Sequence, residues 1–245
     1  SSSAASDVYK RQILAVTGHI TFEKTVALAE KWFSPIPRRH VPRRSLPMEP
    51  MQTEERRLTV ERNVPVDALY MAFHMCSRNH PDYYAFDMLS DLLSSGRSSR
   101  FVQHLVQDKQ IFNSIDAYIS GSIDNGLFHI VGKPAPEKTL EEAEKAIWEE
   151  LALLTEGSID ENELEKVKNR YESEQIFNNL NYLNVATNLA YFELIGKAED
   201  INTEVEKYRS VTQEQIKRAA KQTFLPENCS VLYYKAAAKG ASHTP

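Results

Sequence analysis

The succession of apolar periods along the chain predicts an α+β fold, a mixed, largely antiparallel sheet covered on one face by helices. Three observations carry this. Beyond about residue 55 the pattern reads strand, strand, helix, helix, strand, strand, three or four helices and a final strand, so strands come in pairs and do not alternate with helices as a parallel βαβ fold requires. The 245 residues are 42% hydrophobic and 26% charged, enough for one large domain or a small piece joined to a larger one. Pro35, Pro37, Pro42, Pro47 and Pro50, interleaved with four arginines, set the opening segment apart from the rest.

The elements follow in order. Ile13 to Thr17 is a short apolar run with β preference, closed by Gly18, and reads as a strand. Thr21 then caps a helix whose apolar face is Val26, Leu28, Ala29, Trp32 and Phe33, ended by Pro35 and Pro37. Arg38, Arg39, Arg43 and Arg44 sit among prolines that forbid a regular helix, so this basic cluster reads as linker. Past it, residues 57–61 alternate, and residues 67–76 form a longer apolar run, two strands joined at Asn63 to Pro65. Residues 83–93 place Tyr84, Phe86, Met88, Leu89, Leu92 and Leu93 largely on one helical side. A second helix with Phe101, Val102, Leu105 and Val106 follows the break at Ser94 to Ser99.

Residues 114–120 alternate, and residues 126–131 return after Asp124-Asn-Gly126, predicting a β-hairpin. Thr139 with Glu142 has the spacing of a capping box, and Gly157 stops the helix it opens. A charged helix from Ile159 to about Asn178, an aromatic one from Leu180 to Ile195, a helix 213–223 capped by Thr212 and a strand 229–234 complete the fold.

Charge and motif content exclude several functions. With 29 Lys+Arg against 34 Asp+Glu, the net charge is −5, which argues against a nucleic-acid partner. No apolar stretch of about 18 residues occurs, so no membrane span is predicted. The polar start at Ser1 to Ser6 lacks the regions of an export signal. Cys76 and Cys229 form neither a disulfide framework nor a thiolate zinc site and read as small buried hydrophobes. None of the seven histidines belongs to a helical zinc motif; only His74, Cys76 and His80 cluster, and a strand edge with a polar histidine is the commoner arrangement. The Ser94 to Ser99 loop, helped by Arg97 or Arg100, offers an anion cradle, with a simple helix cap as the stronger reading. Glu141, Glu142, Glu144, Glu149, Glu150 and residues 160–165 have the spacing of solvated helix faces. No catalytic and no metal-ligating residue is assigned.

Several segments together resemble a known group. Residues 15–23 and 27–37 are similar to the strand and final helix that close the N-terminal domain of the insulinase/pitrilysin-like zinc metallopeptidases, the group that includes mitochondrial processing peptidase. Residues 80–101 resemble the helix and serine/glycine loop that open the second domain of these proteins, and residues 157–168, 211–220 and 226–228 are similarly typical. The resemblance implies a metallopeptidase half-domain of the insulinase type, organised as a non-family or disordered tail 1–11, the closing strand and helix of a truncated catalytic-type domain 12–36, a linker 37–54, a C-terminal non-catalytic domain 55–236 and a disordered tail 237–245.

It also implies that zinc sits in an N-terminal domain bearing H-x-x-E-H, which this chain lacks, and that this chain binds no cofactor itself. Its implied partners are that zinc-bearing domain or a subunit of the same family, a peptide substrate enclosed between the halves, and a second copy in a homodimer. A structural subunit like the core-type homologues, without proteolysis, is the alternative. Active relatives place an Arg and a Tyr toward the substrate; the matching positions here are Val106 and Asn113, both departures. The compartment implied is the cytoplasm or periplasm of a bacterium.

Overall fold

A computed structural model describes residues 12–37, 47 and 49–237. The expectations on the tails, on the arginine cluster and on most of the linker fall outside these residues. Two compact units divide the chain, Ser1–Pro50 with Glu172–Val205, and Met51–Tyr171 with Glu206–Pro245.

The second unit is built on a five-stranded sheet. Its strands are β1 (Arg56–Arg62), β2 (Ala68–Ser77), β3 (Phe112–Ser120), β4 (Asn125–Pro134) and β5 (Cys229–Ala236), in the order β1-β5-β2-β4-β3. All neighbours are antiparallel except β1 and β5. The expected hairpin is present as β3 and β4. The two strands joined at Asn63 to Pro65 are not neighbours, because β5, about 170 residues downstream, lies between them. At the hairpin end a Cβ on Gly126 would lie 2.5 Å from the Ser120 carbonyl oxygen, so this approach of two backbones requires glycine.

One sheet face carries the core. Leu69, Met71 and Phe73 of β2 alternate inward and are buried with Phe128 and Ile130 of β4 and Val231 of β5. Helices α2 (Tyr83–Ser94), α3 (Leu140–Glu156) and α7 (Gln213–Thr223) close over them with Leu89, Leu93, Ile147, Leu151 and Ile216. Both predicted N-caps of α3 and α7 are capping boxes: Thr139 with Glu142, and Thr212 with Gln215. At the opposite positions Tyr70 and Tyr118 remain exposed, and Tyr118 stacks on His129 at 4.9 Å between ring centres.

Two expectations are corrected. Residues 12–17 form no strand; among the described residues this run has no ladder neighbour to take its backbone groups. The second helix of the pair is a π-helix, Phe101–Asp108, and not an α-helix. Its apolar positions recur at the i, i+4 spacing of an α-helix, 101 with 105 and 102 with 106, and the wider winding shows in the Lys109 N–H, which donates to His104 O at 3.0 Å, five residues back. The turn after it holds Gln110 at φ +51°.

In the first unit, α1 (Phe22–Phe33) is capped by Thr21, whose hydroxyl accepts from the Lys24 N–H. Helix α4 (Glu161–Asn178) runs from the second unit into this one, and α5 (Tyr182–Ile195) is capped by Asn181. Helix α6 (Glu204–Arg209), preceded by a 3-10 turn at Ala198–Thr203, fills a stretch where no element was expected.

Candidate functional site

Three polar groupings of the sheet unit involve residues singled out in the sequence. At the Ser94 to Ser99 loop, Gly96 adopts φ +86° and its carbonyl accepts from both the N–H and the hydroxyl of Ser99, at 3.2 and 2.7 Å. The loop is gripped by one face of α4, from residues three and four apart. Glu163 takes Arg100 in a bidentate pair, Nε to Oε1 and Nη2 to Oε2 both at 2.9 Å. Lys166 donates from Nζ to the Ser98 carbonyl at 3.1 Å and hydroxyl at 2.9 Å, and Arg170 donates to Ser95 Oγ. A cleft of about 600 Å³ opens here, walled by Ser98, Arg100, Gln103 and His104 on one side and by Asp160, Asn162, Glu163 and Lys166 on the other.

Behind that cleft His104 Nδ1 lies 2.8 Å from Glu150 Oε1, and Glu150 is only 1% exposed. An ionised carboxylate accepts only, so Nδ1 carries the proton of this bond. At the other end of α3, Glu144, 6% exposed, accepts from Arg57, from the Tyr233 hydroxyl at 2.6 Å and from the Trp148 indole at 3.3 Å. Burial pushes the Glu144 carboxyl up, but these donors outweigh it and hold the group below the usual carboxylate range.

Glu144, Glu150 and Glu163 therefore do not lie on solvated faces as their spacing suggested. Each is buried or mostly so because a donor reaches it from another element: the Arg57 guanidinium from the sheet edge, the His104 imidazole from the π-helix and the Arg100 guanidinium from the loop end. A signal was present for the first two. Residues 140, 144, 147, 151 and 154 form one i, i+3/i+4 row, and 150 lies three residues from 147 on its flank.

The His74, Cys76 and His80 cluster does not assemble. A register shift between Met75 and Ser77 breaks the alternation at Cys76, and His80 Nδ1 is occupied by the Asp82 N–H at 3.1 Å. Among the described residues no three His, Cys, Asp or Glu side chains are grouped to hold a metal ion. Burial, with the Asp82 charge adding to it, pushes the Cys76 thiol up to about 11. At pH 8 the thiolate is then roughly a hundredfold scarcer than at an ordinary cysteine, so alkylation by iodoacetamide is expected to be slowed about that much and to recover only as pH approaches that value. A fast Cys76 modification, read by mass spectrometry, would contradict this.

Val106 is half-buried on the π-helix and packs on the core, while Asn113 is exposed where the β3–β4 register shifts between Phe112 and Ser114.

Comparison with known proteins decides the family. The model of the peptidase M16 inactive domain matches residues 9–171, two thirds of the chain. The chain belongs to this family. As an M16 inactive domain it is similar to the zinc protease PqqE of Helicobacter pylori, 22% identical over 231 residues that make up 92% of this chain and 52% of that protein. The uncharacterized zinc protease YmxG of Bacillus subtilis is 24% identical over 216 residues, 87% of this chain and 51% of that one. The M16 inactive domain thus spans about half the length of the curated relatives it matches.

Solved structures agree on the fold. A protease from Helicobacter pylori superposes with a TM-score of 0.80 at 22% identity, over 89% of this chain and 54% of that one. A peptidase M16 inactive domain from Pseudomonas fluorescens gives 0.76 at 15% identity, over 90% and 52%. The α+β sheet covered on one face by helices, expected from the sequence, is the fold of an M16 inactive domain.

Proposed function

We propose that this inactive domain pairs with a zinc-bearing half, on the same chain or on a separate subunit, to enclose a peptide substrate between them, the zinc and the cleavage chemistry belonging to that other half. The observation that carries this reading is the family match itself, taken with relatives that are named zinc proteases and are about twice as long as this chain. The exposed apolar surface of the first unit supports it. Helix α1 buries none of its residues, and Phe22 and Trp32 are 79% and 65% exposed. At the junction of α4 and α5, Ile176, Phe177, Leu180 and Leu183 are all more than half exposed, and residues 176–192 contain no charged side chain. A patch of that kind marks a contact surface.

In this reading the inactive domain supplies shape and contact area, and Val106 and Asn113 provide neither a guanidinium nor a phenol toward the scissile carbonyl. The purified chain, assayed with a fluorogenic peptide and by elemental analysis, is expected to show no chelator-sensitive cleavage and no stoichiometric zinc. Chelator-sensitive cleavage by the chain alone would overturn the proposal.

A further inference from the structure

We infer that the cleft between the Ser94 to Ser99 loop, the π-helix and the start of α4 is a binding site for a small multivalent oxyanion, a phosphate or polycarboxylate group. The inference rests on the cleft alone and not on the proposed pairing with a zinc-bearing half. At about 600 Å³ the cleft is of the size that takes small ligands.

The two carboxylates that line it are engaged. Both Glu163 oxygens are taken by Arg100, and Asp160 Oδ1 accepts the Asn162 N–H at 2.7 Å, its charge offset by the helix N-terminus it caps. Donors, in contrast, are left over. Lys166 meets only the carbonyl and hydroxyl of Ser98 and pairs with no carboxylate among the described residues. Arg100 spends Nε and Nη2 on protein oxygens and keeps Nη1. The side-chain amides of Gln103 and Asn162 line the cleft without partners among the described residues. An anion with several oxygens is the ligand that such a surplus of donors matches.

A buried carboxylate lies behind the cleft. Glu150 fixes Nδ1 of His104, so the other ring nitrogen is free for a ligand, while Oε2 of Glu150 is the one buried side-chain polar atom without a hydrogen bond among the described residues. Such an atom is costly in a finished structure. The His104 ring thus stands between that carboxylate, which it meets through Nδ1, and the cleft that it lines.

The test is calorimetric titration of the full chain with inorganic phosphate, with citrate and with chloride at matched ionic strength. Saturable binding is expected for phosphate, citrate or both, and none for chloride. Phosphate alone identifies a phosphoryl ligand, citrate alone a polycarboxylate. Lys166→Met and Gln103→Leu are each expected to weaken binding about tenfold or more, and Lys221→Met, on exposed α7 surface, to leave it unchanged. Because Lys166 also holds the loop, the Gln103 variant, whose side chain has no protein bond to lose, keeps the result independent of folding. No saturable heat with either oxyanion, or binding that survives both cleft substitutions, overturns the inference.

Discussion

Phe128→Ala is expected to lower the unfolding free energy of the sheet unit by about 4 kcal/mol, read as a shift in the urea midpoint at unchanged slope. Phe128 is fully buried at the centre of β4. Its ring meets Phe224, at the end of α7, edge-on with centres 5.1 Å apart, and Phe224 in turn meets Phe73 of β2 at 5.2 Å. Phe73 reaches Trp148 of α3 at 5.7 Å. Removing the first ring opens a cavity at the point where two strands and two helices converge, and close-packed neighbours relax only in part. Tyr118→Ala, on the exposed sheet face, is expected to cost under about 1 kcal/mol. Similar costs at the two positions would show that the core does not sit on the face described.

Arg57→Ala is expected to destabilise the chain by about 2 to 3 kcal/mol, because it strands a buried carboxylate. Arg57 is half-exposed, and its own contribution is screened, but Glu144 remains beneath it with only the Tyr233 and Trp148 donors. Replacing both, Arg57→Met with Glu144→Leu, is expected to cost less than Arg57→Ala, since no orphaned charge is left. The pH dependence has a fixed sign. Glu144 is held below its ordinary value of 4.5, so the stability it contributes is complete above that pH and is lost as pH falls through the lowered folded value. The gap between the parent and Arg57→Ala is therefore expected to be widest near neutrality and to close in acid. A gap that widens as pH drops below 4.5 would show that Glu144 is not the group responsible.

The features legible in the sequence are those set within a turn or two of chain. Thr139 with Glu142 and Thr212 with Gln215 announce their helices because the bonds involved join residues three apart. Alternation in β2, β3 and β4 announces strands because side chains leave opposite faces by geometry alone. The family resemblance also came through the order of such segments. Where a rule of this kind failed, the local pattern was not enough: residues 13–17 have strand composition but no ladder partner among the described residues, and the apolar spacing of 101–106 is the same for an α-helix as for the π-helix found there.

Most elements, the caps at Thr21, Thr139 and Thr212 and the absence of a helical zinc motif can be read from the residues alone, since short-range sterics and local hydrogen bonds fix them. The insertion of β5 between β1 and β2, the burial of Glu144 and Glu150, and the facing of residues 98–104 and 160–166 across a cleft come from the packed molecule. These depend on which distant surfaces bury together. A charge on a helix enters the core when another element brings its counter-ion, and the local pattern of one helix carries no record of that arrival.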